Sequence, residues 1–238
     1  MRTFAGSRHV LAIDMPGYGE SDAPAEPLDI PGYAKIVAEA IEAVLGGVTV
    51  DLLGYHTGVV VAAEVAIGRL APVAAMTFIG VPYFQVLDFA AWKARLTHSH
   101  QLSDGLEQFD ERWEYLVANR PAGLSLRRGF ENFVDELKAW PDGVRAHEAL
   151  FAYDLSARFA LIDCPVTVLN PQGHLAEPSR AAAALIAGAC LIELPQINGA
   201  VLDTAVAQIA ALIPSAAESS LPRNTAETPF ANRPIRAG

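Results

Sequence analysis

Apolar positions along this chain follow two rhythms. Short runs of continuous, often β-branched apolar residues alternate with longer stretches in which apolar residues recur every three or four positions. "HVLAID" (9–14) has the pattern of a buried strand. "PGYAKIVAEAIEAVLGG" (31–47) then places Ile36, Val37, Ala40, Ile41, Val44 and Leu45 on one helical stripe. Asp29 suits its N-cap, Pro31 its first turn, and Gly46 and Gly47 its end. "VTVDLLG" (48–54) predicts the next strand, 57–69 the next helix, and "VAAMTFIG" (73–80) the strand after it. Strands alternating with helices predict an α/β fold with a mostly parallel sheet and right-handed crossovers.

The alternation stops near Tyr83. From there to Ala160 the chain carries most of its aromatic residues, with helical patterns near 105–118 and 127–139 and no strand pattern. The sheet rhythm returns at "PVTVLN" (165–170), then a helix at 178–187, a strand "CLIEL" (190–194) and a helix over about 201–213. Helices inserted within a parallel sheet read as a lid. The expected division is a first core part (1–82), a helical lid (83–160), a second core part (161–213) and a tail (214–238). The tail lacks periodicity and is expected to be disordered and dispensable for stability.

Composition narrows the partners. The 238 residues are 52% hydrophobic and 18% charged, enough for the core of one ordinary domain. A net charge of −10 disfavours nucleic acid and anionic membrane, leaving a small, uncharged molecule as the expected ligand. Cys164 and Cys190 lie far apart beside apolar runs and read as buried thiols, with no disulfide framework. No apolar run reaches the roughly 18 residues of a membrane span, and "MRTFAGSRHV" lacks the apolar region of a signal peptide. A soluble, cytoplasmic protein is the expectation.

The candidate chemistry centres on "DLLGYHTGVVVAAEVA" (51–66), with the outline of a strand, a sharp turn and a helix, and with His56 at the apex between Gly54 and Gly58. An imidazole facing a helix amino end meets the positive end of a dipole, which disfavours the imidazolium. A neutral ring there is able to act as base, hydrogen-bond donor or nucleophile. It needs a group to fix its tautomer, and His174, Asp203, Asp104 and Asp110 are the candidates. His56 and His174 lack an evident third ligand, so neither a metal nor another cofactor is expected. His98 and His100 in "THSH" would not share a helical face and read as solvated. "PGYGES" (16–21) reads as a turn, since its spacing does not suit a phosphate cradle.

Four segments, in order, resemble the α/β-hydrolase superfamily: "HVLAIDMPGYGESDAP", "VDLLGYHTGVVVAAEVA", "PVTVLNPQGHLAEPS" and "LIELPQINGAVLD", over about residues 8–213. The resemblance implies the α/β-hydrolase sheet, a nucleophile elbow at His56, and a helical lid. Carried over position by position, it puts His56 at the nucleophile, His174 at the acid and Gly199 at the base, so none of the usual Ser, Asp and His is in place. It implies an oxyanion donor at the backbone N–H of Thr57, with Tyr55 and Thr57 as candidate substrate contacts. The family's leading strands and their His-Gly loop have no counterpart. That implies an upstream start for the functional product, or self-association through the gap between 9–13 and 48–54.

Three readings follow. The first is a catalytically degenerate hydrolase whose pocket binds a small apolar carbonyl compound. The second is a working hydrolase or C–C bond-cleaving enzyme in which His56 is base or nucleophile, assisted by a group such as His174. The third is a non-catalytic binding or assembly subunit.

Overall fold

The computed structural model describes residues 3–4, 8–84, 90–91, 93–94 and 104–213. Four parallel strands, β1 (Val50–Tyr55), β2 (Val73–Ile79), β3 (Val166–Gln172) and β4 (Cys190–Asn198), lie side by side in chain order. The sheet is thus parallel throughout, as the alternation of patterns predicts.

Helix α1 (Ile30–Leu45) begins where the Asp29 side chain accepts the Gly32 N–H at 2.8 Å, and ends at Gly46 in the left-handed conformation. Helix α2 (Thr57–Ile67) is buried along almost its whole length, and its sequence, TGVVVAAEVAI, accordingly has no polar stripe. Its one charged residue, Glu64, is 6% exposed. It accepts from Arg158 Nε at 3.0 Å and Nη2 at 2.6 Å, and from the Tyr153 hydroxyl. An isolated carboxylate at that depth would be costly, and the guanidinium and phenol compensate it.

Alternate residues of the strands face opposite ways. Met76, Phe78, Val166 and Val168 join a large cluster with α1 and α2, whereas Ile79, Leu169 and Leu194 join a smaller one with Val201, Ala205 and Ile209. The smaller cluster is closed by α8 (Val201–Thr204) and α9 (Val206–Leu212), and α7 (Ala176–Ala183) bridges β3 and β4.

Between β2 and β3 run α3 (Glu107–Trp113), continued by a π-helical turn at Glu114–Ala118, then α4 (Leu126–Lys138), α5 (Arg145–Phe151) and α6 (Leu155–Phe159). Helices α5 and α6, of seven and five residues, lie in a stretch where the sequence reading marks no helical period.

Two expectations need correction. Residues 9–14 form no strand: the run has no ladder partner among the described residues, Ile13 packs on the large cluster, and Leu11 remains 37% exposed. Apolar content alone does not make a strand, which exists only through its hydrogen-bonded neighbour. The two cysteines are free thiols but half-buried rather than fully buried. No helix among the described residues is long and apolar enough to cross a membrane. His98, His100 and the tail from 214 onward lie outside the described residues.

Candidate active site

The turn at the end of β1 sets the site. Gly54 is required there, because a Cβ would come within 2.5 Å of the Val59 Cα and 2.7 Å of its nitrogen, where α2 doubles back on the strand. His56 then adopts φ 50° and ψ −121°, a conformation costly for a side-chain-bearing residue, while its N–H donates to the Ile79 carbonyl at 3.1 Å. Gly58, the second glycine of the turn, meets nothing within 4 Å of the Cβ position. Close packing therefore explains the first glycine and not the second.

The His56 ring is wedged between neighbours. It stacks on Tyr55 with centroids 3.9 Å apart, and its Cδ2 and Nε2 atoms fill the space where a side chain on Gly80 would begin. Burial pushes its pKa down to about 4, with further lowering from His174 and His147. The ring is neutral near pH 7.

His174 follows β3 and approaches edge-on, with centroids 6.5 Å apart, too far for a direct hydrogen bond to His56. Asp203, on α8, is engaged elsewhere: its Oδ1 accepts from Arg128 Nε at 2.9 Å. Asp110 lies on the wall of the same cavity, and Asp104 does not. At the base position, Gly199 has φ 65°, and a Cβ there would come within 3.0 Å of Pro121 Cγ, on the segment that leads into α4. A side chain at 199 would thus be crowded by another part of the chain.

His56 and Thr57 open onto a cavity of about 1450 Å³ that also takes in His174, His147, Tyr18, Phe84, Leu150 and Leu175. Tyr55 is not on that wall; it packs against the smaller cluster, under the His56 ring. Across the cavity stand Tyr115, Glu114 and Lys138 of the helical segment. Tyr18 is fixed by donating its hydroxyl to the Gly143 carbonyl at 2.7 Å, and burial pushes its pKa up to about 12. The turn carrying it is tied by Asp14, which accepts from the Glu20 N–H at 3.0 Å. His147 is the residue that sequence reasoning misses; a lone histidine in a short helix has no local signature.

Among the described residues, no three or more His, Cys, Asp or Glu side chains are grouped to hold a metal ion.

No protein-family model matches the sequence, and no curated protein matches it either. Solved structures do match. MenH from S. aureus superposes with a TM-score of 0.71 at 17% identity, over 89% of this chain and 86% of that one. An esterase from Exiguobacterium antarcticum gives 0.67 at 22% identity, over 84% and 78%. A hydrolase from Pseudomonas aeruginosa PA01 gives 0.65 at 21%, over 84% and 76%. At such identities the likeness bears on architecture and leaves the reaction open. The parallel sheet, the sharp turn at His56 and these superpositions agree on one architecture, and the chain has the α/β-hydrolase fold.

Proposed function

We propose that this protein is a catalytically degenerate member of the α/β-hydrolase-fold group, whose cavity binds a small, apolar carbonyl compound such as an ester or lactone. The observation that carries the reading is the packing of His56. The apex of the turn holds an imidazole whose Cδ2–Nε2 edge is turned into Gly80, in a position where a nucleophile would need an open approach. The positions expected for an acid and a base hold His174 and Gly199, and Pro121 crowds the latter. The apolar wall of Phe84, Leu150 and Leu175, beside the free end of α2 at Thr57, suits a carbonyl group on a hydrophobic body. The insertion at 83–160, which contributes Tyr115, Glu114 and Lys138 to the wall, serves as the lid of this cavity.

A second reading is favoured by one feature. His56 is neutral at pH 7, and a neutral imidazole can attack an activated ester, expelling the alkoxide to leave an acyl-imidazole that water hydrolyses. The test is the purified protein with short-chain aryl esters and a fluorophosphonate probe. Degeneracy predicts no serine labelling, no burst and no turnover above buffer. Turnover that His56→Ala abolishes establishes the second reading, and stoichiometric labelling of a serine overturns both.

A further inference from the structure

Two cationic side chains other than histidine lie on the described cavity wall, Arg112 and Lys138, and both are taken. Arg112 donates to Glu136 through both Nε and Nη2, the latter at 2.7 Å, with both side chains only about one-fifth exposed. Lys138 donates to Glu20 at 2.7 Å and lies 3.5 Å from Asp135. Asp110, Glu111 and Glu114 add exposed carboxylates on the same wall, with no ion pair to a described cation. The nearest histidine to the turn, His56, contributes no positive charge near pH 7.

A carboxylate entering this space therefore finds neither Arg112 nor Lys138 open unless it first breaks the Arg112–Glu136 fork or displaces Glu20 from Lys138. It would lose its hydration beside several like charges. A neutral ester of the same shape loses far less. We propose that the cavity discriminates by charge, accepting uncharged carbonyl compounds and rejecting the corresponding carboxylates, with the bidentate Arg112–Glu136 pair as the specificity element. The proposal rests on the cavity being a ligand pocket. It gives that pocket a selectivity: an ester or lactone enters, and the corresponding free acid is excluded.

The test compares two probes of one shape, methyl 2-naphthoate and 2-naphthoate, titrated by intrinsic fluorescence at pH 7.5 and low salt. The ester is expected to bind at least tenfold more tightly. Glu136→Gln frees Arg112 and is expected to shrink that ratio severalfold. Because that variant alters a half-buried pair, Asp110→Asn with Glu111→Gln on the exposed rim serves as a second probe, expected to shrink the ratio by lowering repulsion alone. Added salt at 0.5 M should shrink it as well. Equal binding of the two probes to the unaltered protein, or a ratio that neither variant moves, overturns the charge filter while leaving the pocket reading intact. If neither probe binds, both fail.

Discussion

The ring of His56 and the absent side chain of Gly80 are complementary: a Cβ on Gly80 would stand 2.7 Å from His56 Cδ2 and 2.9 Å from Nε2. The apex of the turn can hold an imidazole because the residue after β2 has no side chain. Gly80 also has φ 65°, where a Cβ is strained whatever the space. Gly80→Ala should therefore displace the His56 ring and cost about 2 to 4 kcal/mol from strain and overpacking together. Urea unfolding measures the loss, and an NMR shift of the His56 ring protons reports the displacement. A midpoint unchanged within error would show that the ring is not seated on Gly80.

His56 titrates near 4 in the folded state, well below the ordinary histidine value, because burial and two neighbouring histidines disfavour its charged form. Below the unfolded-state value of about 6.5 the unfolded chain binds the proton more readily, so this residue's share of stability is intact above that pH. It is lost progressively as pH falls from about 6.5 to about 4, by at most about 3 kcal/mol. Denaturant midpoints at intervals across that range should fall with pH. The fall should be much shallower in His56→Asn, which has no titrating ring. An equal slope in both proteins would place the titrating group elsewhere.

The order of elements from 30 to 79 is legible in the sequence because pattern and caps agree there, with Asp29 opening α1 and Gly46 closing it. The sharp turn is legible for a similar reason: Gly54 sits where α2 presses on the strand. Residues 9–14 mislead because a strand is defined by a neighbour that no local pattern names. Within the site, positions 56, 174 and 199 are singled out by the family resemblance. What surrounds them is not: Pro121, His147 and the Arg128–Asp203 pair arrive from distant parts of the chain.

Glu64 ties α2 to α6 through Arg158. The carboxylate is buried whereas the guanidinium is about one-third exposed, so removing the cation leaves an uncompensated charge in the core. Arg158→Ala should cost about 3 kcal/mol, and Glu64→Gln less, because the amide still offers an acceptor to Arg158 and Tyr153. Thermal unfolding of the two variants and of the double mutant gives the coupling directly. Additive losses would mean that the two side chains act independently.

Position 199 bears most directly on whether the site has room for a triad. A histidine there must adopt φ 65° and bring its Cβ to 3.0 Å from Pro121 Cγ, so the segment that leads into α4 has to give way by a few tenths of an ångström before the ring is placed. That segment is anchored, since Arg128 near the start of α4 pairs with Asp203 on α8. Gly199→Ala alone is expected to cost about 1 to 3 kcal/mol, from the left-handed backbone and the crowding combined. The combination His56→Ser, His174→Asp and Gly199→His should accordingly yield a destabilised protein with no esterase burst, although it writes all three residue types into their expected positions. Pro121→Gly in the same background should recover part of the stability by clearing the ring. Burst kinetics with an aryl ester and urea midpoints, measured for the unaltered protein and the three variants, decide the matter. A burst in the triple variant without the Pro121 change would mean that position 199 has room for a base and that Pro121 does not obstruct it.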